Sequence, residues 1–285
     1  WTFVCQRGSL GCLDLMRIFF TKMNGAGNDF ILIDNRNLSF TPDSEQVAAL
    51  CDRHAGVGAD GLMLLEESQN SHADWAWKFY NSDGSEAEMC GNGARCFAAF
   101  VKQLTHSEDG LSFDTQAGVI SATFEPNGVT VNLTEPGPME LDRGIQIKGS
   151  ELKVHSVNTG VPHAVVFVED AGQCNVDELG AAVRYHEHFG PNGTNVNFVQ
   201  ILGPGRVRVR TYERGVEGET LACGTGVTAA SLVAARKHGF DTPVEVKVKS
   251  GDWLKVSFDH EDGGFSKVRL SGPADFVFTG EINLD

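Results

Sequence analysis

The stretch Cys90–Val101 reads CGNGARCFAAFV, and the stretch Cys223–Ala235 reads CGTGVTAASLVAA. After each Cys-Gly-X-Gly start, the residues are apolar or small on nearly every side of a helix, which indicates that protein surrounds both helices. The many strand patterns elsewhere in the chain must then wrap around them. The two stretches therefore predict an α+β fold with two pseudo-symmetric domains, each a strongly curved, mostly antiparallel, barrel-like sheet around one central buried helix.

The chain also repeats itself at a separation of about half its length. Cys90 and Cys223 have this spacing, and the segment Gly25–Phe30 before the first helix is echoed by Asn158–His163 before the second. Self-similarity at this distance is typical of a duplicated domain. The predicted division is a first half of residues 16–134 with residues 272–285, a second half of residues 135–271, and an N-terminal extension of residues 1–15.

Short strand patterns and four helical patterns make up most of the chain. The helical patterns are Ser44–Asp52, Asn92–Gln103, Val176–His186 and Gly226–Lys237. Arg206–Arg210 alternates Arg and Val, which predicts a strand with one buried and one wet face. Met16 opens another strand pattern, whereas residues 1–15 read neither as a strand nor as a secretory signal. We therefore expect Met16 to be the natural start and residues 1–15 to be an upstream extension.

Composition excludes several classes of protein. With 41% hydrophobic and 21% charged residues, the chain is typical of a globular protein, and no apolar run approaches the roughly 20 residues that span a bilayer. A net charge of −15 repels phosphate backbones, which argues against a nucleic-acid partner. The seven cysteines are irregularly spaced and form no CxxC pair, which argues against a structural zinc site and favours a reducing cytoplasm.

Cys90 and Cys223 have the same chemical setting. The partial positive charge at a helix start lowers a thiol pKa, and backbone N–H groups left open by glycine can bind a carboxylate. Two such sites facing across one cleft place a base on one face of a carbon and an acid on the other, as inversion of a stereocentre requires. The residues thus predict a racemase or epimerase that needs no cofactor and no metal. The remaining cysteines considered, which lack this setting and are predicted to be structural, are Cys51, Cys96 and Cys174.

Six stretches of the chain, in this order, resemble diaminopimelate epimerases. They are KMNGAGNDF (Lys22–Phe30), RHAGVGADG (Arg53–Gly61), FYNSDGSEAEMCGNGARC (Phe79–Cys96), NTGVPH (Asn158–His163), NGTNVNF (Asn192–Phe198) and YERGVEGETLACGTG (Tyr212–Gly226). The resemblance implies cofactor-free interconversion of LL- and meso-2,6-diaminopimelate, a step towards lysine and peptidoglycan, by a cytoplasmic homodimer. The chain departs from the commonest pattern at Val161, where many members have Asn, and at Gly61, where some have Gln.

The resemblance also implies roles for individual residues. Cys90 and Cys223 would exchange the roles of base and acid with the direction of the reaction, and His163 and Glu213 would support proton transfer. Positions that would hold the substrate by side chain are Asn28, Asn81, Asn195, Glu213 and Arg214. Positions that would hold its reacting carboxylate by backbone amides are Gly91, Asn92, Gly224 and Thr225.

Three alternatives remain open at this stage. A two-cysteine racemase of the same architecture, resembling proline racemase, would act on a substrate with one carboxylate and would not need a distal cation such as Arg214. A thiol hydrolase would use Cys90 as nucleophile and His163 as base, but it leaves Cys223 without a task. A non-catalytic binding module on the duplicated fold would make both cysteines incidental.

Overall fold

The computed structural model describes residues 16–126, 128–261 and 263–284, so the predicted extension of residues 1–15 lies outside the described residues. The α-helices are α1 (Ser44–Cys51), α2 (Gly91–Thr105), α3 (Val176–Arg184) and α4 (Gly224–His238). The strands of the first half are β1 (Met16–Gly25), β2 (Asn28–Asp34), β3 (Gly61–Glu67), β4 (Trp75–Asn81), β5 (Leu111–Thr115), β6 (Gly118–Glu125) and β7 (Gly128–Asn132). The strands that follow are β8 (Glu140–Ile147), β9 (Ser150–Asn158), β10 (Pro162–Phe167), β11 (Asn195–Gly203), β12 (Arg206–Glu213), β13 (Gly218–Thr220), β14 (Val244–Lys247), β15 (Trp253–Glu261), β16 (Gly264–Gly272) and β17 (Asp275–Leu284).

The strands pair in the same order twice. In the first half, β1–β2 is antiparallel, β2–β3 parallel, β3–β4 antiparallel, β4–β5 parallel, and β5–β6 and β6–β7 antiparallel. In the second half, β9, β10, β11, β12, β14, β15 and β16 repeat this series of orientations. The repeat confirms the predicted α+β fold with two pseudo-symmetric, mostly antiparallel halves.

The two halves are joined through the sheet itself. Strand β7 pairs antiparallel with β16, which has the equivalent place in the other half. The last strand, β17, pairs antiparallel with β1 along almost its whole length, as β8 does with the equivalent strand β9. The last described strand therefore lies beside the first, and the assignment of residues 272–285 to the first half stays a prediction.

The two central helices are buried as their composition predicts. In α2 the run Gly91–Ala98 is buried, and in α4 the run Gly226–Ala235 is buried. Both helices start slightly earlier than the patterns predict, because the glycines after each cysteine already have helical backbone and the cysteine is the N-cap. Side chains that are apolar all round the helix gain stability only inside such a barrel, at about 25 cal/mol per Å² removed from water.

The outer helices and strands follow their amphipathic patterns. In β12, Val207 and Val209 are buried while the alternating arginines are partly or fully exposed, which confirms the predicted two-faced strand. Helix α1 begins at a capping box in which the Asp43 side chain and the Gln46 side chain satisfy each other's backbone N–H groups. In the described part of the chain, no helix is long and apolar enough to cross a bilayer.

Candidate active site

Cys90 and Cys223 occupy the same place in the two halves, as the N-cap residues of α2 and α4. The Cys90 sulfur accepts a hydrogen bond from the Gly93 backbone N–H at 3.4 Å, and the Cys223 sulfur lies 3.5 Å from the Thr225 hydroxyl. The first backbone N–H groups of a helix have no intrahelical partner. Each thiol is therefore held beside a set of free donors at the positive end of a helix.

The two helix starts meet at glycines. A Cβ atom added to Gly224 would lie 3.4 Å from the Gly91 Cα and 3.0 Å from a Leu270 methyl group, and one added to Gly91 would lie 3.1 Å from the same methyl group. Side chains at these positions would push the helix starts apart. The glycines thus bring the loops of Cys90 and Cys223 together across the junction of the halves.

The electrostatics of the site link the two thiols to one carboxyl group. Burial raises the pKa of both thiols, and the negative charge of Glu213 raises each further. A charge on Cys90 also raises the pKa of Cys223. Burial raises the pKa of the half-buried Glu213 carboxyl as well. Glu213 therefore lies within electrostatic range of both sulfurs, with a proton affinity above that of an ordinary carboxylate.

The side chain of Asn92 joins the two halves behind the helix starts. Its Nδ2 donates to the Asn28 Oδ1 at 2.6 Å and to the Ala222 carbonyl at 3.1 Å, while its Oδ1 accepts from Arg95 at 3.1 Å. The side chain is thus fully used as a structural link, and only the backbone N–H of Asn92 is left for the predicted contact with a carboxylate.

Arg95 is a residue that the sequence reasoning missed. It is fully buried, and its guanidinium donates to the Gly91 carbonyl at 3.1 Å and to the Pro273 carbonyl at 3.2 Å, in addition to Asn92. Burial lowers the pKa of Arg95, and none of the ion pairs found in the described residues includes it. The signal that could have identified it was a charged residue inside an otherwise apolar helix pattern.

A charged network that the sequence reasoning also missed supports Asn28. The Asn28 Nδ2 donates to Asp60 at 2.9 Å, and Arg53 donates to both Asp60 and Asp29 at 2.7 Å. Lys22, which is buried, lies 2.7 Å from Asp29. All four charged residues belong to the stretches singled out above, and together they fix the amide that contacts the start of α2.

The stability of this network is expected to depend on pH through Asp29. Burial by itself raises the pKa of Asp29, but hydrogen bonds from Arg53 and Lys22 outweigh it and lower the pKa to about 2 from an ordinary 3.8. A lowered pKa in the folded state stabilises the fold above pH 3.8 by about 2 kcal/mol. This contribution is lost as the pH falls towards 2, because the folded carboxylate then also takes up a proton.

Asp29→Asn tests this account by urea unfolding at a series of pH values. We expect it to destabilise the protein by roughly 3 kcal/mol near neutral pH, since it also leaves Lys22 buried without its partner, and the difference from the parent protein should shrink as the pH falls below 3.8. Asp34→Asn is the matched control, because the Asp34–Arg36 pair is more exposed and should contribute no more than about 1 kcal/mol. Equal losses in the two variants would contradict the prediction.

In the second half, His163 and Asn195 lie on the paired strands β10 and β11, and Arg214 lies in the turn directly after β12. Asn195 is buried; its Nδ2 donates to the Pro162 carbonyl at 3.2 Å, and its Oδ1 accepts the Arg214 backbone N–H at 2.8 Å. Burial of His163, which is 1% exposed, and to a smaller extent the charge of Arg214 together lower its pKa to about 3. The Thr159 hydroxyl donates to the Thr225 carbonyl at 2.9 Å and anchors the start of α4.

Comparison with known proteins identifies the family of this chain. The sequence profile described as diaminopimelate epimerase matches residues 20–138 and 155–277. The chain is 44% identical over 275 residues to the diaminopimelate epimerase of Aquifex aeolicus (strain VF5), covering 93% of this chain and 97% of that protein. It is 42% identical over 281 residues to the diaminopimelate epimerase of Hydrogenobaculum sp. (strain Y04AAS1), covering 94% and 99%.

The chain belongs to the diaminopimelate epimerase family. Both matched segments of the family profile include a cysteine helix start, since one contains Cys90 and the other contains His163, Glu213 and Cys223. The sequence prediction of the family is thereby confirmed.

Solved structures with the same fold extend beyond the diaminopimelate epimerase family. A phenazine biosynthesis protein of the PhzF family from Bacillus anthracis has a TM-score of 0.72 at 16% identity, covering 94% of this chain and 99% of that one. A hydroxyproline epimerase from Agrobacterium vitis, with bound trans-4-hydroxy-L-proline, has a TM-score of 0.70 at 17% identity, covering 94% and 93%. These likenesses confirm the fold.

Asn81 is a further position that the family resemblance implies. Asn81 is exposed at the end of β4, where its Nδ2 donates to the Ser85 hydroxyl at 3.0 Å. It pairs in the sheet with Gly61, which itself pairs with Phe30 near the start of β2, so it shares a sheet edge with Asn28. Among the described residues, no three His, Cys, Asp or Glu side chains are grouped so that they could hold a metal ion.

Proposed function

We propose that this chain interconverts LL- and meso-2,6-diaminopimelate with Cys90 and Cys223 as the acid/base pair. The observation that carries the proposal is the contact of the two cysteine-bearing helix starts through Gly91 and Gly224. This contact would allow both thiols to flank one substrate carbon. The chain's membership of the diaminopimelate epimerase family supports the identity of the substrate.

The reaction requires only the movement of protons. One cysteine, as thiolate, removes the α-hydrogen from one face of the carbon, and the electron pair of the broken C–H bond is delocalised into the carboxylate. The other cysteine, as thiol, then donates its proton to the opposite face. The configuration is inverted, nothing is oxidised or reduced, and the two sulfurs have exchanged protonation states. The reverse reaction uses Cys90 and Cys223 in the opposite roles.

Backbone groups would stabilise the charge that develops in this step. The N–H groups of Gly91 and Asn92 and those of Gly224 and Thr225 lie in the first turns of α2 and α4, where N–H groups have no intrahelical acceptor. Donors fixed in advance towards a developing negative charge supply a large part of catalysis in many enzymes. Two converging helix starts would therefore hold the reacting carboxylate.

Glu213 would support proton transfer at the thiols. Burial raises its pKa and those of both cysteines, so the carboxylate is a stronger base than an exposed one. Arg214, which follows it, would bind the distal carboxylate as a fixed cation, a role that suits the planar guanidinium. The other side chains proposed to hold the distal end of the substrate are Asn28, Asn81 and Asn195.

We further propose that the enzyme needs neither a metal nor pyridoxal phosphate, because two thiols supply both the base and the acid. A reducing cytoplasm would keep them as thiols, and the product would enter lysine and peptidoglycan synthesis. We propose a homodimer with a small amino acid as its ligand and with neither nucleic acid nor a membrane as partner.

The thiol-hydrolase alternative leaves Cys223 without a task, and the proline-racemase alternative does not need Arg214.

The proposal is tested by incubating the purified chain with LL-diaminopimelate in deuterated water without any added cofactor. We expect formation of the meso isomer together with deuterium at the inverted α-carbon, measured by NMR and chiral chromatography. A chelator and a carbonyl reagent that traps pyridoxal phosphate should leave the rate unchanged. The control substrates are L-proline and trans-4-hydroxy-L-proline. Turnover of these in preference to diaminopimelate, or loss of activity with either reagent, would contradict the proposal.

A further inference from the structure

The two halves differ in chemistry along one row of equivalent positions behind the cysteine helices. In the first half the row is apolar and consists of Phe30, Met63 and Phe79. In the second half the row is polar and consists of His163, Asn197 and Thr211. Strand register makes the rows equivalent, because Phe30 pairs with Gly61 and Met63 with Phe79, just as His163 pairs with Asn195 and Asn197 with Thr211.

The helix starts touch these rows in the same way. A Cβ atom added to Gly93 would lie 2.2 Å from the Met63 Cε, and one added to Gly226 would lie 2.3 Å from the Asn197 Oδ1. The same added atom on Gly226 would be 3.3 Å from the Cys223 sulfur. Asn197 therefore lies directly under the first turn of α4, beside one of the two thiols.

The hydrogen bonds of Asn197 determine which way its amide group faces. Its Nδ2 donates to the Ala164 backbone carbonyl at 3.0 Å, and a carbonyl can only accept. The Thr211 hydroxyl donates to its Oδ1 at 3.0 Å. The same Nδ2 lies 3.1 Å from the His163 Nδ1, which must then be the acceptor. The proton of the neutral imidazole is consequently on Nε2.

These hydrogen bonds leave the Nε2–H of His163 unused. It is buried, and none of the described residues accepts a hydrogen bond from it. Burial lowers the pKa of His163 to about 3, so the ring stays neutral at physiological pH. A buried donor without a partner is costly, and in native proteins such a group calls for a functional explanation.

We propose that Asn197 is a positioning residue that fixes His163 as the Nε2–H tautomer, so that His163 donates a hydrogen bond to a carboxylate of the bound amino acid. This inference rests on the proposed function. The ammonium groups of an amino acid have no lone pair, so its carboxylates are the acceptors available to a neutral N–H. Because Nδ1 already accepts a hydrogen bond from Asn197, His163 cannot take up the proton from a thiol. Its role in proton transfer would then be limited to donating a hydrogen bond through Nε2–H. Phe30, at the equivalent position of the first half, cannot donate a hydrogen bond. The two sides of the pseudo-symmetric site therefore differ in chemistry.

The tautomer can be read from the ring nitrogen shifts of protein labelled with ¹⁵N-histidine, with His163→Gln used to assign the resonances. We expect a protonated Nε2 and an unprotonated Nδ1 from about pH 5 to about pH 9, without titration, whereas exposed histidines titrate within that range. Asn197→Asp should reverse the tautomer, because a carboxylate can only accept a hydrogen bond and therefore favours the proton on Nδ1.

Kinetics of the full-length enzyme provide the second measurement. Loss of a hydrogen bond to a charged group predicts that Asn197→Asp lowers kcat/KM by about 10–100-fold. His163→Gln, whose side-chain amide is still a donor, should keep more activity than His163→Phe, which reproduces the first half. The matched control is Met63→Leu at the position equivalent to Asn197, a volume-conserving change expected to alter the rate by no more than about twofold.

The outcomes separate this inference from the proposed function. An active epimerase whose His163 carries its proton on Nδ1, or whose ring titrates near neutral pH, overturns the inference alone. Protein with the expected tautomer that does not epimerise diaminopimelate refutes the proposed function and, with it, donation to the substrate, while the tautomer assignment stands. Equal activity of His163→Gln and His163→Phe also overturns the role as donor.

Discussion

Replacing Cys90 or Cys223 with serine is expected to lower the rate of diaminopimelate epimerisation by about 10³–10⁴-fold, the upper range for loss of an acid or base group. Each sulfur acts as the base in one direction of the reaction and as the acid in the other. A single replacement therefore impairs the reaction in both directions. A serine hydroxyl is a far weaker acid than a thiol, yet it is a good N-cap and can still accept the Gly93 N–H. The loss of activity would therefore reflect the missing thiol and not a disturbed helix start.

The measurement is the rate of interconversion of the two isomers, accompanied by thermal unfolding to confirm that the variants fold. Cys174→Ser is the matched control, because this partly buried cysteine lies outside both Cys-Gly-X-Gly helix starts, between a short 3₁₀ helix and the N-cap of α3. It should retain parental activity. Full turnover by Cys223→Ser would contradict the two-thiol mechanism and would favour a thiol hydrolase with Cys90 as its nucleophile.

The central part of the fold could be predicted from sequence because it rests on local patterns. A helix that is apolar on all sides has few stable environments, and the runs Ala94–Val101 (with Ala99 only partly buried) and Val227–Ala235 are buried inside the sheet. The alternation of Arg and Val in Arg206–Arg210 likewise decides which face of β12 is buried. In these segments the spacing of apolar residues along the sequence is enough to predict which side chains are buried.

The parts that could not be predicted depend on contacts between distant segments. The link from Asn92 to the Ala222 carbonyl crosses the two halves, and nothing in either local pattern indicates it. The polar row of Asn197 became visible only when strand register showed that Asn197 is equivalent to Met63 in the other half. Arg95 gave a local signal, a charge within an apolar helix. One of its acceptors, the Pro273 carbonyl, is far away in the sequence, so the local pattern could not indicate it.

Arg95→Met is the second substitution with a large expected effect, a fall in kcat/KM of about 10²–10³-fold, as for the loss of one fixed electrostatic donor. Arg95 is a buried cation on the first turns of α2, and its charge lowers the pKa of the Cys90 thiol against the stronger effect of burial. Removing the charge should make Cys90 harder to ionise and move the acidic limb of the pH–rate profile to higher pH. Methionine fills much of the space and removes a costly buried charge, so the fold is expected to persist.

The second half of the molecule supplies a control that separates the charge from the hydrogen bond. Thr228 occupies in α4 the place of Arg95 in α2, and its hydroxyl donates to the Gly224 carbonyl at 2.9 Å just as Arg95 donates to the Gly91 carbonyl at 3.1 Å. Thr228→Val removes this neutral hydrogen bond and no charge, so it should cost much less activity and leave the pH–rate profile in place. If Thr228→Val and Arg95→Met lowered the rate equally and neither shifted the profile, the buried guanidinium would act only as a brace for the helix start.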